Sequence, residues 1–308
     1  MTLTKRTWAL VLIAALVILN GVVLGLLMGS EDGAAPSAQA SSTASPPESV
    51  PTPVPTPEPE GDPTTAEPRM AAAVVAARQI VALDADIAWR STLASCGQGT
   101  AILERTLDGG ASWSTTNLDL ESVVRLRASD ANSAFVVGVG QGCETALSST
   151  TDGGETWTRA DANLSSAWFL APTDRTLVVG PRATSPVPCP SGVVDLAALD
   201  VQRGAVLCLD GSLAVSSDGG QSWATTLSVA GARAITTNGA AYAVATYEGP
   251  CNALSLYGVN SDGEAETAPF ACVPVASAVD VALSISDDLL WVWSGTDLAI
   301  SLDGGQTW

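Results

Sequence analysis

Four times this 308-residue chain writes Asp-Gly-Gly-x-Ser/Thr-Trp: Asp108–Trp113, Asp152–Trp157, Asp218–Trp223 and Asp303–Trp308. A Ser or Thr stands two residues ahead of each aspartate. Asp-Gly-Gly between β-prone runs is hairpin chemistry: the carboxylate accepts hydrogen bonds from the turn's own backbone, and glycine takes the positive-φ positions. The indole that follows starts the next strand and is available to pack under the turn. A decayed copy has Asp262 but lacks the second glycine and the tryptophan.

A second pattern repeats upstream. Short first strands read QIVAL, VVRLRA, SAWFLA, VVDLAAL, ARAITT and VDVALS, each followed by a polar turn and a second strand: IAWRS, SAFVV, TLVVG, AVLCL, AYAVA and LLWVW. Five of these six pairs lead into a third strand and an Asp turn. The third pair is expected to lack both, which explains the wide gap between Asp152 and Asp218. Repeats of about 40 residues made of short antiparallel strands read as blades, so an all-β propeller of about six blades, the third truncated, is expected.

The turn motif resembles the Asp-box, or BNR repeat, S-x-D-x-G-x-T-W, of sialidases, sortilin-type receptors, some glucan hydrolases and photosystem assembly factors. Asp108, Asp152, Asp218 and Asp303 match its aspartate, and Trp113, Trp157, Trp223 and Trp308 its tryptophan. The resemblance implies a propeller with the box between the third and fourth strands of a blade, away from the functional face. On that placement the last blade holds three strands and the start of a fourth. Ala71–Ala77 is expected to supply the outer strand and close the ring; a truncated chain with an unfinished last blade is the alternative.

The first seventy residues are of another kind. Trp8 to Met28 is a run of twenty-one uncharged residues, about 31 Å as a helix and enough to cross a bilayer. Lys5 and Arg6 precede it, and Glu31 and Asp32 follow, which orients the N-terminus to the cytoplasm and the remainder outside. A signal peptide cleaved after Ala40 is the rival, but the apolar run exceeds the roughly 7–15 residues of such segments. Residues 31–69 hold ten of the eighteen prolines, interspersed with Ser, Thr and Glu, and read as an extended stalk. The expected layout is a cytoplasmic start and membrane anchor over 1–30, a stalk over 31–69 and a propeller over 70–308, at the cell surface.

Six cysteines, Cys96, Cys143, Cys189, Cys208, Cys251 and Cys272, lie beyond the anchor. An even count outside the membrane favours disulfides over metal or redox chemistry. In a propeller most of these residues fall in or beside the 2–3 connections, opposite the Asp turns. The expected pairs are Cys96–Cys143, Cys189–Cys208 and Cys251–Cys272. No metal or cofactor is expected.

A net charge of −19 argues against nucleic-acid binding, and histidine, the commonest general base, is absent. Asp84 and Asp86, with Asp287 and Asp288, should share the face of the Asp turns, either as a weak Ca²⁺ site or, more simply, as solvated turn carboxylates. The sialidase resemblance implies arginines on a substrate carboxylate and a tyrosine nucleophile backed by a glutamate. The best candidates are Arg125, Arg127 and Arg233 with the Tyr247–Glu248 pair. The F/Y-R-I-P segment that precedes the first box in sialidases is missing, however. Trp291 and Trp293 alternate on a second strand, where burial between blades accounts for them. The sequence therefore favours a non-catalytic recognition or assembly module for a protein or glycan partner, with a sialidase-like glycosidase as the alternative.

Overall fold

The computed structural model describes residues 78–92, 101–172, 174, 176–190, 192–276 and 280–308. Among these, twenty-two strands form six antiparallel sheets, each built from strands consecutive in the chain. Blade one contains β1 (Arg78–Ala82), β2 (Ala88–Thr92), β3 (Ile102–Thr106) and β4 (Ser114–Thr116). Blade two contains β5 (Ser122–Ala128), β6 (Ala134–Val139), β7 (Thr145–Thr150) and β8 (Thr158–Arg159). Blade three is β9 (Phe169–Leu170), β10 (Leu177–Val179) and β11 (Thr184–Pro186). Blade four comprises β12 (Val193–Ala198), β13 (Gly204–Cys208), β14 (Ser212–Ser216) and β15 (Ala224–Ser228). Blade five has β16 (Ala232–Thr237), β17 (Tyr242–Thr246), β18 (Leu254–Val259) and β19 (Ala271–Val273), and blade six β20 (Ala282–Ser286), β21 (Leu289–Ser294) and β22 (Asp297–Ser301).

The burial of the strands explains their composition. A second strand is covered on both faces by the neighbouring blades, so it carries a continuous apolar run rather than an alternation. β13 (GAVLC) and β17 (YAVAT) are buried at all five positions. Six apolar clusters fill the six seams between blades. Trp89 and Leu103 meet Val123 and Val136 between blades one and two. Val137 and Leu147 meet Phe169 between two and three. Trp168 and Val178 meet Leu196 and Val206 between three and four. Leu207 and Leu213 meet Ile235 and Val244 between four and five. Leu254 and Leu256 meet Leu283 and Leu290 between five and six. Trp291 and Trp293 meet Ile80 and Ala88 between six and one, which closes the ring. Ala82 N also donates to Ser284 Oγ across this last seam at 2.9 Å. The two tryptophans on β21 are therefore spent on interblade packing.

Two sequence expectations change. Blade three does have a third strand, β11, although it is three residues long and no Asp turn follows it. The turn near Asp262 is organised by Asn260 instead: its Oδ1 accepts from Asp262 N at 3.0 Å and Glu264 N at 2.9 Å. Tyr242 pairs with Val259 where Leu290 pairs with Ser301, so Asp262 stands one residue late for the aspartate's place. Cys272, the last cysteine before blade six, lies in β19, the outer strand of blade five. The anchor at 8–28, the stalk at 31–69 and the strand expected at 71–77 lie outside the described residues, among which no helix is long and apolar enough to cross a membrane.

Trp89 is fully buried and meets the Trp157 indole edge-on, with ring centroids 6.2 Å apart. Trp89→Ala empties the centre of the first seam, and its expected cost is about 3–5 kcal/mol. Denaturant unfolding of the purified protein checks this; a loss below about 1 kcal/mol would mean the seam repacks.

Candidate functional site

Each Asp turn is built by the same hydrogen bonds. In blade one Thr106 Oγ1 donates to Asp108 Oδ1 at 2.8 Å and accepts from Gly110 N at 2.9 Å. Ser112 closes the far side, its N donating to Asp108 Oδ1 at 2.8 Å and its hydroxyl to Oδ2 at 2.6 Å. Thr150, Asp152 and Thr156 repeat the pattern, as do Ser216, Asp218 and Ser222, and Ser301, Asp303 and Thr307. Both glycines take positive φ, for example 77° and 90° at Gly153 and Gly154.

The turn is also held from outside. Its first glycine donates to the 1–2 turn of the same blade: Gly109 N to Asp86 O at 2.9 Å, Gly153 N to Asn132 O, Gly219 N to Gln202 O and Gly304 N to Asp288 O, the last three at 2.8 Å each. The two kinds of turn therefore share a face. Its second glycine and tryptophan reach the preceding blade. Thr116 Oγ1 on β4 donates to Gly154 O and accepts from Trp157 Nε1 at 3.2 Å. Ser185 on β11 does the same for Gly220 O and for Trp223 Nε1 at 2.9 Å. In blade one, by contrast, Trp113 Nε1 bonds its own turn at Gly110 O, 3.1 Å away. In blades two and four the Asp turn thus latches onto the preceding blade by hydrogen bonds, while the bonds within the turn are the same in all four copies.

The 1–2 turns repeat a second device that the sequence reading passed over. Asp84, Asp130, Asp200 and Asn238 each accept two backbone N–H bonds from residues two and three further on. The signal was legible as an Asp or Asn opening the polar gap between first and second strands. These side chains, three carboxylates and one carboxamide, are committed to their own loops, and no cluster of metal-ligating side chains occurs among the described residues.

The innermost strands line a central channel, with Arg78, Gln79, Arg125, Arg127, Asp195 and Thr237 on its wall. Most of these side chains bridge blades. Gln79 donates from Nε2 to Val124 O at 3.2 Å and accepts from Leu126 N at 2.6 Å. Asp195 Oδ2 accepts from Ile235 N at 3.0 Å. Arg125 Nη1 donates to Leu196 O at 2.6 Å and Arg127 Nη2 to Ala198 O at 3.1 Å, so both span from blade two to blade four. They can do so because the inner strand of blade three is two residues long and leaves its place on the ring open. Burial pushes the Arg125 guanidinium well below its ordinary pKa, and neighbouring Arg127 adds to this while Asp195 opposes it.

The five candidate glycosidase residues do not assemble. Arg125 and Arg127 line the channel; Arg233, Tyr247 and Glu248 are not part of its wall. Arg233 stacks on the half-exposed Tyr247 ring at 4.3 Å from its centroid. The physical reason is a bulge shared by three inner strands, between Val123 and Arg125, Val193 and Asp195, and Ala232 and Ala234. Arg233 is the bulged residue itself, equivalent to Val124 and Val194, whereas Arg125 and Asp195 follow the bulge and line the channel.

Disulfides join Cys189 to Cys208, tying the segment after β11 to β13, and Cys251 to Cys272 within blade five. Cys143 is also disulfide-bonded, and its expected partner, Cys96, lies outside the described residues.

No known protein family matches the chain, and no curated protein does. Solved structures similar to it include YCF48 bound to a D1 peptide, 17% identical over 76% of this chain and 80% of that one, with a TM-score of 0.41. The fucose-recognising six-bladed propeller lectin of Aleuria aurantia is 12% identical over 77% and 99%, with a TM-score of 0.38. BamB from Moraxella catarrhalis is 10% identical over 70% and 79%, with a TM-score of 0.35. The blade count and ring closure rest on this chain's own sheets, and no residue role is carried over from these proteins.

Hydroxyl and then backbone donors hold Asp152, Asp218 and Asp303 down at about 2, against an ordinary value of 3.8, and lower Asp108 likewise. A carboxylate with a depressed folded pKa contributes stability that is present above its unfolded pKa and lost as pH falls through the folded one. Thermal unfolding temperature should therefore drop between about pH 4 and pH 2. Asp218→Asn should lower it at neutral pH and flatten that fall; an unchanged acid profile would remove the turns as the cause.

Proposed function

We propose that this chain is a membrane-anchored, outward-facing Asp-box propeller that acts as a non-catalytic recognition or assembly module for a protein or glycan partner in a cell envelope. The observation that carries the reading is the use of the channel arginines. Arg125 and Arg127 donate to main-chain carbonyls of blade four, while the tyrosine and glutamate that would complete a glycosidase site are not on the channel wall. A ring sealed by latches and disulfides is a rigid frame on which connecting loops present a surface. The uncharged run at 8–28 and the proline-rich stretch after it are the support for anchoring and display.

The expected result with a panel of fluorogenic glycosides, sialosides included, is no turnover by the folded, disulfide-intact protein. Turnover abolished by Tyr247→Phe or Arg125→Ala would make it a glycosidase. In fractionated cells the full chain should stay in carbonate-washed membranes and be cut by protease added from outside. Deletion of residues 8–28 should release it from the membrane; retention without that segment would remove the anchor from the reading.

A further inference from the structure

The shortness of blade three does more than leave room for two arginines. Beside the place its inner strand would fill lie two adjoining cavities, one of about 470 Å³ walled by blade two and the segment that follows it, the other of about 230 Å³ between blades two and four. Arg127, Phe135, Ser166 and Ala167 line both, and Arg127 also lines the central channel. The larger cavity is ringed by side chains that donate and accept, Ser133, Ser149, Asn163 and Ser166, and the smaller is backed by Trp168.

Arg127 stands apart from Arg125. The Arg125 side chain is buried, 6% exposed, whereas Arg127 is only partly covered. Of the five N–H donors a guanidinium carries, Arg127 gives one to Ala198 O, and the Asp195 carboxylate on the channel side acts on its charge without taking a hydrogen bond from it. Asp200, on the rim of the smaller cavity, is already tied to its own turn and to Arg203 at 2.8 Å. In a chain of net charge −19 most of the surface repels anions, so a recessed guanidinium with unspent donors is where one is held.

We propose that this groove binds an acidic sugar, a uronic acid residue whose carboxylate meets Arg127, whose hydroxyls meet the serine and asparagine ring, and whose apolar face lies on Phe135. The site deepens the recognition reading above and rests on it. The ring of small polar side chains favours a polyhydroxylated ligand, because a hydroxyl can donate and accept; Ser166 Oγ, which already donates to Asn163 O at 2.9 Å, offers acceptance only. A peptide terminus needs the carboxylate anchor but not that ring. The larger cavity falls in the range of about 300–1,000 Å³ that small-ligand pockets occupy.

The test titrates the purified protein with methyl β-glucuronide and with methyl β-glucoside, which differs at the carboxylate, followed by calorimetry or ligand-observed NMR. The glucuronide should bind at least tenfold more tightly, and Arg127→Gln should weaken it by at least tenfold. Because Arg127 also braces blade four, Ser166→Phe provides an independent variant. Ser166 is exposed, and its replacement fills the groove without touching the brace. That variant should lose glucuronide binding at an unchanged unfolding temperature. Equal affinity for the two glycosides, glucuronide binding that survives Ser166→Phe, or no binding of either sugar would overturn the proposal. So would binding of acetyl-Ala-Ala in place of the glucuronide. Binding of isolated envelope polysaccharide that persists in both variants would leave recognition standing and remove this groove as its site, whereas glycoside turnover would remove the recognition reading itself.

Discussion

Four of the six blades depend on one interaction, the seating of a glycine pair against the blade before. A blade of three or four short strands has two apolar faces and cannot bury them alone. It needs a neighbour on each side, held at a fixed distance. The Asp turn sets that distance, because its second glycine leaves no side chain between the turn and the preceding blade. At Gly154 a Cβ would fall 3.0 Å from the Trp89 ring and 3.1 Å from Thr116 Oγ1. The residue's positive φ already disfavours any other amino acid. The hydroxyls and carboxylate around the pair stiffen the turn so that the approach is made by rigid backbone.

Much of this was open to reading in the chain, and the reasons are local. A hairpin turn draws its chemistry from residues within eight positions, so Asp-Gly-Gly-x-Ser/Thr-Trp declared itself four times. Second strands sandwiched between blades advertised their burial by unbroken apolar runs. Where the reading slipped, the deciding residue lay outside the window. Asn260 took over the Asp262 turn because the register of β17 against β18 shifted the aspartate out of place. β11 was missed because three residues ending in proline carry no strand pattern of their own.

The channel side chains were legible as residue types but not as partners. Arg125 and Arg127 lie two apart on a strand, which predicts a shared direction, and both do bridge to blade four. That their acceptors are the carbonyls of Leu196 and Ala198, seventy-one positions away, is a property of the ring and of a blade cut short. Arg233 misled for a related reason: a bulge moves one residue off the period-two count, so an arginine on a first strand need not share the direction of an arginine on another.

The latches are not evenly distributed. Blade three sends no Asp turn against blade two, and that seam is closed by the apolar cluster of Val137, Leu147, Ala167 and Phe169 with the neighbours packed on it. The ring is therefore a closed chain of unequal links. Native-state fluctuations draw first on the links with the fewest rigid contacts, and a ring parted at one seam keeps its remaining seams intact. Breathing of this propeller is thus directed, in the manner of a split washer, to the side where the short blade stands.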